Sequence, residues 1–384
     1  MTRVGVIGAG HGRFGRRSDA TVQELAFEVY RMAMKDAGIS PDRVDASVIA
    51  AVPEYHKQRS VAGVVQEYLN LNPKPTWLTE VACASGSAAI RTAWMAIRSG
   101  THKVVAVIGC QKMTELSTAE ILALMGRVGE VQWESVFGTT FPGYYAMFAA
   151  RHMHDFGTTR EQLAAVAVKN HRYGAQNPNA MFQKEVTVER VLASDPVASP
   201  FCVFDCCSNA DGAACLILAD EGTVSELGGD AVWLDGVGCA SDAMSVLRRP
   251  HLVGLPAAGE AARQAYAMAG AGASDVKVAE VHDCFTIAEI MAYEDLGFCA
   301  KGEGGPFVES GAAAIGGQVA VNVDGGLKAK GHPIGTTGVS MAYEIVTQLR
   351  GRAGTRQVPG ADVGLTHNVG GIGQYCFVHL FRRD

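Results

Sequence analysis

"VACASGSAAIRTAWMAIRSG", residues 81–100, reads as a short apolar segment, a turn of small residues and a helix. The chain carries that pattern a second time at residues 320–351, "AVNVDGGLKAKGHPIGTTGVSMAYEIVTQLRG". Around each copy the same blocks recur in the same order. Helix-like "TVQELAFEVYRMAMKDAGISPDRVDA" runs into apolar "SVIAAV", and "AAGEAARQAYAMAGAGASDVK" into "VAEVHDCF". Beyond the copies, "KVVAVIGCQKM" pairs with "ADVGLTHNVGG" and "GAACLILAD" with "QYCFVHLF". Four blocks in one order indicate a duplication, because chance matches of apolar strands do not preserve order. Strands alternating with helices predict an α/β chain layered around mainly parallel sheets.

The halves differ by an insertion. About a hundred residues between "VIGCQKM" and "GAACLIL" have no counterpart in the second half. They include aromatic "VQWESVFGTTFPGYYAMFAARHMHDFG" and polar "NHRYGAQNPNAMFQKEVT". An insert of that length is expected to be a lid or a substrate-contacting segment.

Composition excludes several functions. Of 384 residues, 48% are hydrophobic and 19% charged, which is a packed globular balance. The net charge of -6 and the lack of a Lys/Arg cluster argue against nucleic acid as the main partner. The long uncharged run "VGLTHNVGGIGQYCFVHLF" is broken by glycines, His367, Asn368 and His379, too polar for a membrane span. The N-terminus lacks a secretory h-region. Ten cysteines sit in apolar segments, so a reducing compartment, the cytoplasm, is expected.

Four stretches could carry chemistry. In "VACASGSAAI", Cys83 precedes a helix, whose N-terminal dipole and free N–H groups would lower the thiol pKa. Ser85, Gly86 and Ser87 would leave room for an acyl group. In "GGLKAKGHPIGTTG", too glycine-rich to pack as a helix, His332 could accept a proton from a thiol or hold an oxyanion. Pro333 would fix its direction. In "VHDCFTIAEI", His282, Asp283 and Cys284 stand at a strand-to-helix switch, where α/β folds collect ligands. Cys284 could serve as acid and base, and Asp283 could cap the following helix. In "THNVGGIGQ", Gly370 and Gly371 suit a loop exposing N–H donors, with His367 and Asn368 lining the same cavity. Each stretch alone also reads as ordinary structure.

"CASG", "HDCF", "GGLKAKGHPIGTTG" and "HNVGG", in that order, resemble the thiolases, in particular the sterol-carrier-protein-2 type and its archaeal and bacterial relatives. The resemblance spans essentially the whole chain. It implies duplicated βαβαβαββ halves in a five-layer αβαβα sandwich, residues 1–222 and 223–384, with a loop domain at about 113–200 in the first. It implies a reversible Claisen condensation: Cys83 carries the acyl group, Cys284 is the acid/base, and His332 with His282 stabilises the enolate. Other thiolases have an Asn-Glu motif where this chain has His282-Asp283, and a second cysteine where it has His367. Coenzyme A and acetyl-CoA are then substrates, with no permanent cofactor and no metal. A homodimer or larger oligomer is expected, as is a small zinc-ribbon/OB-fold partner from another gene. CoA-contacting residues are not assignable from sequence.

Two other motifs carry less. Cys202, Cys206 and Cys207 in "CVFDCCSNADG" lack a second cysteine pair with zinc spacing. "GHGRFG", Gly10 to Gly15, matches a dinucleotide fingerprint, but no acidic residue closes a second strand about 20 residues on. Three rival functions remain: acyl transfer to a non-CoA carbon, retro-aldol cleavage of a CoA-activated side chain, and a non-catalytic scaffold subunit. The cysteine pair weighs against the aldolase.

Overall fold

The computed structural model describes residues 2–228 and 230–383. Among them ten strands form the main sheet system: β1 Val4–His11, β2 Ala46–Ala50, β3 Thr76–Thr79, β4 Val104–Gln111, β5 Gly212–Asp220, β6 Val232–Ser241, β7 Val278–Val281, β8 Ala320–Val321, β9 Val363–Gly370 and β10 Tyr375–Arg382. Their spatial order is β8-β7-β9-β10-β6-β1-β5-β4-β2-β3. Adding five to each strand of the first half reproduces the second, which is the duplication in three dimensions. The halves meet where β1 and β6 pair antiparallel, Gly5 with Trp233 and Val6 with Val232.

Each half is a mixed sheet. β2 runs parallel to β3 and β4, and β7 parallel to β8 and β9, whereas β5 and β10 lie antiparallel to their neighbours. The mainly parallel sheet expected from alternation is corrected here. In the second half β9 returns through residues 371–374 into β10, a connection too short for the crossover that a parallel pair needs.

Helices fill three layers around these sheets. α1, Val22–Ala37, packs outside the first sheet on β1, β4 and β5. Thr21 and Glu24 close its N-terminus in a capping box, and Gly38 ends it at φ 66°. α2, Ser85–Arg98, lies between the sheets. α3, Phe141–Phe156, and α4, Arg160–Gly174, belong to the insertion. α5, Pro256–Ala269, is the duplicate of α1 and covers β6 and β10. α6, Thr286–Asp295, follows β7 and packs on α3, α4 and α5. α7, Gly326–Ala329, is a single turn, and α8, Thr337–Leu349, is the duplicate of α2. α2 and α8 pack on each other and reach strands of both halves, so three large apolar cores flank the two halves of the ten-stranded sheet. The "GGLKAKGHPIGTTG" loop thus contains one helical turn and the start of another helix, against the expectation of no helix.

Candidate active site

Cys83 precedes Ala84, the N-cap residue of α2, and α2 and α8 bring their N-terminal ends together between the halves of the sheet. Ser85, Gly86 and Ser87 are buried in that contact. A Cβ on Gly86 would stand 2.7 Å from the Val339 nitrogen, so these small residues serve helix packing rather than acyl room.

His332 lies in the segment between α7 and α8. Its N–H donates to the Ser208 carbonyl at 2.9 Å. Its ring Nδ1 is 2.8 Å from Thr337 Oγ1, and the Thr337 hydroxyl donates to the Pro333 carbonyl at 3.2 Å. With its proton committed to Pro333, Thr337 Oγ1 accepts from His332 Nδ1–H. The lone pair therefore sits on Nε2, which is buried without a partner. Proline stiffens this loop, but the threonine aims the ring.

His282 follows β7. The Asn368 side-chain amide donates to the Cys83 carbonyl at 3.1 Å, and its nitrogen lies 3.2 Å from His282 Nδ1. Nδ1 accepts, so the proton sits on Nε2, also buried and unpartnered. The two imidazoles thus present opposite faces: His332 offers a lone pair and His282 an N–H. Their ring centroids are 5.2 Å apart at 77°. The Cys83 sulfur and one ring nitrogen from each histidine lie within 4.8 Å of one another. A thiol and two neutral imidazoles are also a donor set suited to a thiophilic divalent metal.

Burial dominates the titrations. It pushes the Cys83 thiol up to about 12, against the N–H groups of Gly371 and Cys83 itself, which favour thiolate. The lowered pKa expected from the helix N-terminus is therefore corrected: desolvation exceeds the dipole. Burial, helped by Lys330, holds His332 down to about 3, and burial also drops His282 well below its usual range. At neutral pH the resting pair is thiol and neutral imidazole. Creating thiolate and imidazolium side by side offsets much of the cost of either charge alone.

Cys284 is fully buried, and desolvation raises its thiol well above the usual value. Its thiol lies beside the Tyr145 hydroxyl. Its carbonyl accepts from the Cys207 N–H at 2.9 Å.

Asp283 does not cap α6, whose N-terminus has no side-chain cap. It accepts from the N–H groups of Leu327 and Lys328 at 2.7 and 3.2 Å, and so caps the α7 turn. A Cβ on Gly326 would overlap its carboxylate. Asp283 thereby ties the Cys284 loop to the His332 loop. Behind it, Asn170 donates to Asp283 and Glu289, each at 2.7 Å, and Lys169 pairs with Glu289 at 2.9 Å. Asn322 donates to Glu289 at 2.6 Å and accepts from the Val281 N–H at 2.8 Å.

Gly370 ends β9, and the Gly371 N–H beside it favours the Cys83 thiolate. Asn368 stands behind Cys83, bonded to its carbonyl, rather than lining a cavity with His367. His367 is buried on the opposite face of β9, with both ring nitrogens unpartnered and its pKa held down to about 4 by burial. Among the described residues, Cys202, Cys206 and Cys207 form no metal-ligand group. Thr337, Tyr145, Asn170, Glu289 and Asn322 escaped the sequence reading. The polar "NHRYG" within an otherwise apolar helix was the signal for Asn170; the others had none.

Comparison with known proteins gives a consistent outcome. The family model described as "Thiolase, N-terminal domain" matches residues 4–197, and "Thiolase C-terminal domain-like" matches residues 238–383. An acetyl-CoA acetyltransferase of Methanothermobacter thermautotrophicus is 41% identical, covering 100% of both chains. One of Methanocaldococcus jannaschii is 38% identical over 99% of both. Human sterol carrier protein 2 is 32% identical, over 100% of this chain and 72% of that protein. Among solved structures, the Ltp2-ChsH2(DUF35) aldolase superposes with a TM-score of 0.86 at 25% identity, covering 100% of this chain and 98% of the other.

Proposed function

Since the chain belongs to the thiolase family and is an acyltransferase of that type, we propose that it catalyses reversible Claisen condensation and thiolysis of acyl-CoA thioesters through an acyl group on Cys83. The observation that carries this reading is the Cys83 sulfur beside two imidazoles of opposite tautomer.

In thiolysis, His332 Nε2 takes the Cys83 proton as the sulfur attacks the 3-keto carbon of a 3-oxoacyl-CoA. The Gly371 N–H faces that reaction. As the carbon–carbon bond breaks, the acetyl-CoA enolate oxygen finds N–H groups on His282 and on the now protonated His332. Each such donor is worth about 3 kcal/mol. Cys284 protonates the enolate carbon. Its thiolate then deprotonates incoming CoA, whose sulfur displaces the acyl group, and His332 returns its proton to Cys83. Condensation runs the same steps in reverse.

Other features support finer points of the reading. β3 is an unpaired edge with Trp77 and Leu78 exposed, suited to a second copy of the chain. The likeness to a thiolase-fold aldolase bound to a DUF35 protein favours a small zinc-ribbon/OB-fold partner. No helix among the described residues is long and apolar enough to cross a membrane. All ten cysteines are free, in keeping with a reducing cytoplasm. The same likeness favours retro-aldol cleavage as a second reading, and Cys83 with Cys284 favours thiolysis over it.

The test is twofold. Incubation with acetyl-CoA should add one acetyl mass to the Cys83 peptide, and acetoacetyl-CoA with CoA should lose its enolate absorbance. Acylation without thiolysis would point to a non-CoA acceptor, and neither to the aldolase or to a non-catalytic scaffold.

A further inference from the structure

The inserted segment reaches the two cysteines through one side chain. α3 presents Phe141, Tyr145 and Phe148 along a single face, and all three are buried in the same apolar core as Cys83 and Cys284. The Tyr145 ring stacks on Phe285 at 4.7 Å and 27°, and Phe285 stacks on Phe201 at 5.3 Å and 12°. Phe285 is the residue after Cys284, so this stack walls the Cys284 side of the site. The Tyr145 hydroxyl donates to the Gly371 carbonyl at 3.2 Å. The N–H of the same glycine favours the Cys83 thiolate. One hydroxyl therefore touches the peptide that serves the nucleophile and, on its other side, the Cys284 thiol.

Building on the acyl-Cys83 reading, we propose that Tyr145 is the specificity-determining and positioning residue of this site. Its ring stops the acyl group on Cys83 at about the length of acetyl, and its hydroxyl holds the Gly371 peptide in line with the Cys83 sulfur. An acyl chain extending from Cys83 past Cys284 runs into the Tyr145–Phe285 stack, which has no exposed edge to yield. In an apolar pocket each excess methylene is discriminated by about 10-fold or more. Losing the hydroxyl leaves the Gly371 carbonyl buried without that donor and frees the peptide to turn.

Two variants separate ring from hydroxyl, and both are read by the mass of acyl-Cys83 after mixing with acetyl-, butanoyl-, hexanoyl- or octanoyl-CoA. The wild-type protein should load acetyl and fall about 10-fold or more by hexanoyl. Tyr145→Leu should load hexanoyl at least about 10-fold faster relative to acetyl than wild type does. Tyr145→Phe should keep the wild-type length limit and slow acetyl loading about 10-fold. It should also move the pH profile of Cys83 alkylation upward, because a thiolate-favouring N–H is no longer held. A wild-type protein that loads octanoyl as fast as acetyl, or a Leu variant with the wild-type length profile, overturns the ring's role. A Phe variant with unchanged alkylation profile overturns the hydroxyl's. Failure of every thioester to label Cys83 in the wild type would instead sink the acyl-enzyme reading itself.

Discussion

His332 and Thr337 are joined by a 2.8 Å hydrogen bond whose direction is set by a third group, the Pro333 carbonyl that takes the threonine's own proton. That chain leaves the His332 lone pair on Nε2, the atom that the proposed mechanism uses as the base toward Cys83. Thr337→Val removes the acceptor while keeping the shape. It should lower kcat/KM for acetoacetyl-CoA thiolysis about 10- to 100-fold with little change in KM, because orientation rather than thioester binding is lost. Thr337→Ser should recover most of the loss. Steady-state kinetics on the three proteins decides it.

Asn368 sets the opposite tautomer on His282. Asn368→Asp exchanges a donor for an acceptor at 3.2 Å from Nδ1, so the ring proton moves to Nδ1 and Nε2 loses its N–H. Enolate stabilisation should fall by about 3 kcal/mol, roughly 100-fold in kcat. Acetylation of Cys83, which needs no enolate, should survive better than condensation. Equal losses in both half-reactions would contradict this.

The two sulfurs should separate by half-reaction. Cys83→Ala should abolish the acyl-enzyme mass. Cys284→Ala should still be acetylated but should lose exchange of the acetyl-CoA α-protons with deuterated water, followed by NMR. Full condensation activity in the Cys284 variant would remove that residue from the mechanism.

The Cys83–His282–His332 triangle should bind thiophilic divalent ions. Zinc at micromolar levels should inhibit reversibly, with activity restored by a chelator. Cobalt should give a sulfur-to-metal charge-transfer band that disappears in Cys83→Ser. Inhibition that persists in the absence of any such band would place the metal elsewhere.

Stability should fall in mild acid. Burial holds His379 down to about 3, His11 to about 3 and His367 to about 4. Folded pKa values below the unfolded 6.5 mean that the unfolded chain binds more protons, so stability rises with pH between about 4 and 6.5 and is lost as pH drops through that window. Each such histidine adds a slope of about 1.4 kcal/mol per pH unit. His379 lies in β10 with both ring nitrogens unpartnered. His379→Gln should flatten the slope of denaturation free energy against pH by about one proton's worth, as read by chemical unfolding at several pH values.

Much of this protein was legible in its sequence. The repeat of helix, strand and small-residue turn carried the duplication, because hydrophobic period and block order are local properties of the chain. Cys83, His332 and the "HDCF" loop, whose Cys83, His282 and His332 the fold brings together, stood out because reactive side chains at strand ends leave a compositional mark.

What the chain alone could not decide is set by packing, mostly against neighbours far away in sequence. The proton on each imidazole depends on Thr337 and on Asn368, the second of these 86 residues from its histidine. Asp283 looks like a cap for its own helix yet closes a turn 44 residues away. Cys83 sits at a helix start that should acidify it, yet burial under both halves and the insertion outweighs that local field. Sequence determined which chemical groups are present and on which elements. Tertiary structure decided their protonation, direction and access, because these depend on desolvation and on hydrogen-bond partners that only packing brings within reach.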